Sequence, residues 1–127
     1  LKTGSAMKVF WTEFALDSLR AIYNYYKSNV SNDIATKIKQ NIFFATRQLA
    51  IQPYSGSPEP FLNTDRITYR FIISGNYKII YKVDQSIVYI TDVFDCRQNP
   101  DKILMRNNDS ELIYEPQSSY HPSGIIQ

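Results

Sequence analysis

The sequence predicts an α+β fold in which a helical hairpin packs on an antiparallel sheet, with the element order β-α-α-β-β-β. Two successive segments between residues 13 and 50 carry apolar residues at three- and four-residue spacing, which is typical of amphipathic helices. Three later segments alternate apolar and polar residues, which is typical of strands. The chain has 127 residues, 43% of them hydrophobic, so it is long enough for one domain with a core and too short for two.

The first strand and the first helix are predicted over residues 7–29. The segment MKVFW (7–11) has the pattern of a short strand. Thr12 follows as a plausible N-cap, and Glu13 stands in the first helical turn, where the helix dipole favours a negative charge. The apolar stripe of this helix consists of Ala15, Leu19, Ile22 and Tyr26.

The polar segment SND (31–33) is predicted to cap a second helix, which runs to roughly Ala50. Its apolar stripe consists of Ile34, Ile38, Ile42, Ala45 and Leu49. Because the joint between the two helices is short, they should form an antiparallel hairpin.

The segment QPYSGSPEP (52–60) contains three prolines and one glycine, so we expect a loop. Strand patterns follow it, separated by turn residues at 74–76 and 84–86. The three predicted strands are ITYRFII (67–73), YKIIYKV (77–83) and IVYITDVF (87–94). Together they predict an antiparallel meander.

The predicted domain covers residues 7–105. Met7 has the character of a natural start, so we expect residues 1–6 to be an upstream remnant. After Pro100, the segment DKILMR predicts one last helical turn. Residues 106–127 are polar and show no periodicity, and we expect a weakly ordered tail or one that lies over the surface.

Alternate side chains of the middle strand should point to opposite faces of the sheet. The face that the helices should cover carries Tyr77, Ile79, Tyr81 and Val83. The other face carries Lys78, Ile80 and Lys82, and we expect Thr68, Arg70 and Ile72 of the preceding strand to join it. The prediction is a cationic face left open to solvent or to a partner.

Composition narrows the class of protein. The formal net charge is +2, which is far below that of a protein that coats nucleic acid. The single cysteine excludes an intrachain disulfide, and Asp92 and Asp95 lack a third ligand, so we expect no metal and no cofactor. No run of 18 apolar residues is present and the start has no signal-peptide pattern, which favours a cytoplasmic protein without a membrane span.

Four segments carry a resemblance to a known family. They are FWTEFALDSLRAIYNYY (10–26), QLAIQPYSG (48–56), YRFIISGNYKIIYKV (69–83) and VFDCRQNP (93–100). In this order and at this length, the chain resembles the RelE/ParE superfamily of bacterial toxins, and more closely its ParE-like, plasmid-stabilisation branch. The resemblance implies a toxin that a cognate antitoxin neutralises. ParE-like members poison DNA gyrase by binding, whereas RelE-like members cut mRNA on the ribosome.

The resemblance also indicates which branch the chain follows. The cations of the RelE-like endonucleases fall on Arg70, Lys78 and Arg97, which would be the catalytic residues only if this chain were a nuclease. A further lysine of that set falls on Ile72, and the tyrosine near the chain end falls at about Ile103. Cations without an acid or a base make a poor ribonuclease, so we expect a gyrase-directed toxin that is not an enzyme.

Two alternatives stay open: a ribosome-dependent mRNA endonuclease, and an inactive family member that acts as a protein-binding module. The expected antitoxin segment is acidic with apolar anchors, and binds as a helix or as an added strand. The residues that we expect to bind a partner are Phe14, Tyr23, Phe43, Phe44, Ile72 and Lys82.

Overall fold

Two long helices cover one face of a five-stranded sheet in the computed structural model, which describes residues 6–64 and 66–113. The elements are β1 Lys8–Trp11, α1 Glu13–Asn29, α2 Asn32–Gln48, β2 Ser57–Pro58, β3 Tyr69–Ser74, β4 Tyr77–Asp84, β5 Ile87–Asp95 and α3 Lys102–Ile113. The predicted α+β class and element order are confirmed. The short edge strand β2, inside the predicted loop, and the full length of α3 were not predicted.

The sheet is mixed rather than wholly antiparallel. Its strand order is β1-β5-β4-β3-β2, and β1 pairs with β5 in parallel while the other neighbours are antiparallel. A parallel pair requires a long crossing connection, and the helical hairpin, the loop and the meander together supply it. Periodicity alone could not show that β1 joins the far edge of the meander.

Both predicted helix starts are confirmed by their caps. The Thr12 hydroxyl accepts a hydrogen bond from the Ala15 N–H at 3.2 Å and donates to the Ile90 carbonyl at 3.0 Å, so it also ties α1 to β5. The Ser31 hydroxyl accepts from the Ile34 N–H at 3.1 Å. Each cap satisfies a backbone donor that the helix itself leaves unpaired.

The main core lies between the helical hairpin and the sheet. Its buried members are Val9, Trp11, Ala15, Leu19, Ile42, Leu49, Tyr77, Ile79, Tyr81, Val88, Ile90 and Val93. The predicted covered face of β4 is therefore confirmed. The stripe predicted for α2 is wrong at Ile34, which is exposed at the start of the helix, whereas Ala35 and Thr46 are buried.

A second, smaller core lies on the opposite face, which we predicted to be uncovered. It consists of Leu62, Tyr69, Ile80, Phe94 and Ile103. Ile103 at the start of α3 and Leu62 after β2 supply the cover, because burying apolar side chains such as these stabilises the fold by about 1.5–3 kcal/mol each. The prediction of a bare cationic face is wrong.

The strand register corrects the predicted position of two residues. Gly75 and Asn76 form a two-residue turn, so Ser74 pairs with Tyr77, and Gly75 takes a φ of 59°. Arg70 and Ile72 therefore stand opposite Tyr81 and Ile79, on the face that the helices cover. With a turn of three residues, Arg70 and Ile72 would have shared the face of Lys78 and Ile80, as predicted. A shift of one residue in the pairing moves every side chain of the strand to the other face.

The helix α3 extends well beyond the single turn predicted after Pro100, and it crosses the predicted boundary at residue 105. Of the predicted tail, only residues 106–113 are described, and they are helical. The expectations for residues 1–5 and for residues 114–127 lie outside the described residues. Within the described ranges, none of the helices has the length and the apolar character that crossing a membrane requires.

Candidate functional site

Lys78, one of the three predicted cations, is bound inside the protein. Its Nζ lies 2.8 Å from Oε1 of Glu59, and the Glu59 side chain is completely buried. The Lys78 ammonium also lies 4.3 Å from the centre of the Phe71 ring, which is favourable for a cation over an aromatic face. Lys78 therefore holds the segment after β2 against β4.

Arg97 lies beyond the end of β5, beside α1. Its Nε and Nη2 donate to the two carboxylate oxygens of Asp95 at 2.9 and 2.8 Å. This bidentate contact holds the pKa of the Asp95 carboxyl below its usual value. A longer contact of 3.4 Å joins Nη2 of Arg97 to the Tyr26 hydroxyl.

Arg70 stands near the outer edge of the sheet. Its Nη1 donates to the Gly56 carbonyl at 2.8 Å, and its guanidinium lies 5.4 Å from the centre of the Tyr54 ring. The Gly56 N–H in turn donates to the Tyr81 hydroxyl at 3.0 Å. Arg70 and Tyr81 together fix the loop between α2 and β2.

The structure does not bring Arg70, Lys78 and Arg97 together. Lys78 belongs to the face of the second core, Arg70 to the helix-covered face, and Arg97 to the loop beyond β5. Each is already bonded to an internal acceptor. Shared stabilisation of one phosphate requires cations within a few ångströms of the same point, and these three do not have that arrangement.

An open groove runs along α1 and is closed on its other side by β4, β5 and the segment that follows them. Its volume is about 890 Å³. Apolar and aromatic side chains dominate the lining, notably Phe14, Ala21, Ile22, Tyr25, Val30 and Val93. Tyr25 is 60% exposed, which leaves a large aromatic surface without cover from the described part of the chain. We call this feature the α1 groove.

A pair of tyrosines marks one side of the α1 groove. The Tyr77 hydroxyl donates to the Tyr26 hydroxyl at 3.3 Å. Donation from Tyr77, assisted by Arg97, lowers the pKa of Tyr26. Burial, together with the same hydrogen bond, raises the pKa of Tyr77. Within this pair, Tyr77 keeps its proton to a higher pH, whereas Tyr26 releases its proton more easily.

Arg106 of α3 contributes to the lining of the same groove. It donates to both carboxylate oxygens of Asp92, at 2.9 and 2.7 Å, and to the Ser18 hydroxyl at 2.9 Å. Asp92 is buried, so the guanidinium compensates its charge. The Arg106 guanidinium also lies 5.1 Å from the centre of the Phe14 ring. This contact joins α3, β5 and α1.

The residues predicted to bind a partner have different surroundings. Phe44 is 56% exposed on α2. Phe43 and Ile72 pack against the main core, and Phe14 lines the α1 groove. The other two are half-buried: Tyr23 lies 4.6 Å from the Lys39 ammonium, and Lys82 lies 5.6 Å from the Tyr69 ring centre.

The sequence did not identify the α1 groove as such. Tyr25 and Val30 lie outside the predicted stripe, although an excess of large apolar residues on α1 was a signal that could have found them. No sequence pattern pointed to Arg106 or Glu59. Each acts through an ion pair with a residue distant in the chain, Arg106 with Asp92 and Glu59 with Lys78. Phe14 and Arg97 are the predicted site residues that line the groove.

Comparison with known proteins agrees with the fold. Residues 9–100 match the model of a family described as the ParE toxin of the type II toxin-antitoxin system, parDE. A solved structure described as the chromosomal ParDE TA system from P. aeruginosa is similar in fold, with a TM-score of 0.59 and 20% identity, over 71% of this chain and 96% of that one. No curated protein sequence matches significantly. The family model spans most of the chain, and the chain belongs to the ParE toxin family of type II toxin-antitoxin systems.

Proposed function

We propose that this protein is a toxin that a cognate antitoxin neutralises by occupying the α1 groove, and that acts by binding DNA gyrase rather than by cutting mRNA. Membership of the ParE family supports the toxin role. The antitoxin and gyrase remain the proposed partners.

The observation that carries the proposal is the open α1 groove itself. It is long enough to follow α1 from Phe14 to Val30, and its exposed aromatic and aliphatic side chains fit the apolar anchors of a peptide. Amphipathic helices bind in grooves of this kind by placing such anchors along one face. An antitoxin segment bound there would cover apolar surface that the toxin alone leaves to water.

Binding rather than catalysis is supported by the separation of Arg70, Lys78 and Arg97. Cleavage at a ribose hydroxyl needs a base, an acid and positive charge around one phosphate. In the folded protein each cation serves a different structural contact. A gyrase-directed toxin has no need of a catalytic cluster.

One contact favours the alternative of an mRNA endonuclease. Arg97 lies beside Tyr26, so a cation adjoins a phenol of lowered pKa at the rim of the α1 groove. A phosphate could be bound by the first group while the second handles a proton. The two functions therefore predict opposite behaviour for variants at this position.

Two assays on the purified protein separate these functions. In the first, DNA supercoiling by gyrase should be blocked by the wild-type protein and equally by Arg97→Ala and Tyr26→Phe. In the second, mRNA in a reconstituted translation reaction should remain intact. Cuts in translated mRNA that disappear in Arg97→Ala, with supercoiling unaffected, would establish the endonuclease. No effect in either assay, and no growth arrest on expression, would indicate an inactive binding module.

The role of the groove is tested with a matched pair of substitutions on α1. Ala21→Glu introduces a charge into the groove, whereas Asn24→Glu places the same side chain on the exposed helix surface outside it. Binding of the antitoxin encoded beside the toxin gene should weaken by about tenfold or more for Ala21→Glu, since a charged side chain is poorly tolerated in an apolar interface. Asn24→Glu should bind as the wild type does. Equal affinity of both variants would disprove the groove as the antitoxin site.

A further inference from the structure

A second cleft lies at the opposite end of the sheet from Arg97, where the chain enters β3 and leaves β4. Its volume is about 410 Å³, and the loop between α2 and β2 forms one wall. The side chains that matter here are Tyr54, Arg66, Ile67, Arg70, Lys82 and Asp84. We call it the cationic cleft, because three of these residues are cations and one is a carboxylate.

Arg70 differs from three other cations of the described chain in the kind of acceptor that it contacts. Lys78, Arg97 and Arg106 are each bound to a carboxylate. The hydrogen bonds of Arg70 go instead to backbone carbonyls, of Gly56 at 2.8 Å and Tyr54 at 3.5 Å. These bonds use only Nη1, so they orient the guanidinium without neutralising its charge. An uncompensated, oriented arginine at the wall of a cleft is suited to an external anion.

The same cleft also presents apolar surface. Tyr54 is 61% exposed and Ile67 is 40% exposed. The Arg70 guanidinium lies 5.4 Å from the centre of the Tyr54 ring, and Gly56, two residues on, is held by the Tyr81 hydroxyl. Rigid aromatic side chains beside arginine are the residues that contribute most to protein interfaces. The cleft thus combines positive charge with two apolar contacts.

We propose that the cationic cleft binds carboxylate side chains of an acidic peptide segment, and that this segment belongs to the antitoxin. The inference rests on the proposed function, and it adds a second docking site to the α1 groove. Arg66 and Arg70 would receive the carboxylates, while Tyr54 and Ile67 would contact the aliphatic residues between them. Asp84 disfavours a multiply charged phosphate chain at this place, and the chain's net charge of +2 is small for a nucleic-acid-binding surface.

Affinity for the antitoxin encoded beside the toxin gene tests the proposal, measured by calorimetry at two salt concentrations. Arg66→Ala should weaken binding by about fivefold, the loss of one exposed charge pair, and should reduce the salt dependence. Tyr54→Ala should weaken it by about tenfold at either salt concentration. Asp84→Asn should strengthen it. Lys37→Ala removes an exposed lysine of α2 that lines neither the α1 groove nor the cationic cleft, and as the control it should leave affinity unchanged.

The outcomes separate this inference from the function on which it rests. If wild-type protein binds the antitoxin and the three cleft variants bind it equally well, the cationic cleft is not a docking site, although the proposed function stands. If the wild type does not bind the antitoxin at all, the proposed function fails as well. A third outcome concerns nucleic acid. If the wild type binds a ten-nucleotide single-stranded DNA, and Arg66→Ala and Tyr54→Ala abolish that binding but leave antitoxin affinity unchanged, the cleft binds nucleic acid and the proposal is overturned.

Discussion

Lys78 and Glu59 form an ion pair in which the carboxylate is completely buried and the ammonium is nearly so, with Nζ 2.8 Å from Oε1. The second carboxylate oxygen of Glu59 accepts a hydrogen bond from the Phe61 N–H at 2.9 Å. The pair therefore joins β4 to the segment that leads into the second core. It also explains why Lys78, at the start of β4, is not available to a substrate.

Loss of the Glu59 charge should destabilise the fold strongly. Glu59→Gln keeps the size of the side chain but leaves the Lys78 ammonium without a counter-ion in a poorly solvated place, so we expect the free energy of unfolding to fall by about 3 kcal/mol. Urea denaturation measures the change. Asp17→Asn, in the exposed pair with Arg20, is the control and should cost no more than about 0.5 kcal/mol. Similar losses for both variants would contradict a special role of the buried pair.

Gly56 should not tolerate a side chain. A Cβ atom there would lie 2.6 Å from the Phe71 carbonyl oxygen and 2.7 Å from the Tyr81 hydroxyl, both held in the folded structure. Gly56→Ala should therefore lower the free energy of unfolding by about 1–3 kcal/mol through overpacking. Ser57→Ala, on the exposed neighbour, should have little effect on the thermal midpoint. An unchanged midpoint for Gly56→Ala would show that the loop can move away from β3.

Stability should fall at alkaline pH through Tyr77. Burial raises the pKa of its hydroxyl, so the unfolded state releases this proton at a lower pH than the folded state does. The contribution is fully present below the ordinary tyrosine pKa of about 10 and is lost as pH rises above it. Tyr77→Phe should make the decline in the unfolding midpoint between pH 9 and 11.5 less steep. Tyr25→Phe, which changes an exposed tyrosine, is the control and should leave this slope unchanged. If Tyr77→Phe declines as steeply as the wild type, Tyr77 is not the cause of the alkaline loss of stability.

Arg106 should decide whether α3 stays docked. Among the described side chains of α3, Ile103 is buried whereas Leu104 and Met105 are exposed, and Arg106 adds bonds to Asp92 and Ser18. Arg106→Ala should speed hydrogen exchange of the α3 amides and lower stability by about 3 kcal/mol, because buried Asp92 loses its counter-ion. Lys102→Ala on the same helix is the control. Unchanged exchange in Arg106→Ala would show that other contacts of α3 suffice to keep it docked.

Local chemistry made the helical hairpin predictable. Thr12 and Ser31 are caps whose hydroxyls bond backbone donors three residues on, and both helices begin next to them. The same periodicity failed at Ile34, which is exposed although its neighbour Ala35 in the same turn is buried. A stripe shows which face is apolar, but the partner element decides how much of it is buried.

The candidate site was predictable only in part. Phe14 and Arg97 line the α1 groove as members of the predicted set, whereas Arg70 and Lys78 lie elsewhere. The error at Arg70 arose because the turn between β3 and β4 has two residues instead of three. This difference moves Arg70 to the opposite face of the sheet from the one predicted. Turn length depends on the geometry of both strands and not on the alternation within either one.

The amino-acid order by itself determined the two long helices, the strands β1, β3, β4 and β5, their succession and the apolar face of β4 that the helices cover, since caps, turns and periodicity act over a few residues. Tertiary structure alone decided that β1 pairs with β5, that Ile103 closes the second face, and that Glu59 and Asp92 neutralise Lys78 and Arg106. These contacts join positions far apart in the chain, so they form only when the fold brings both partners together. No local pattern carries that information.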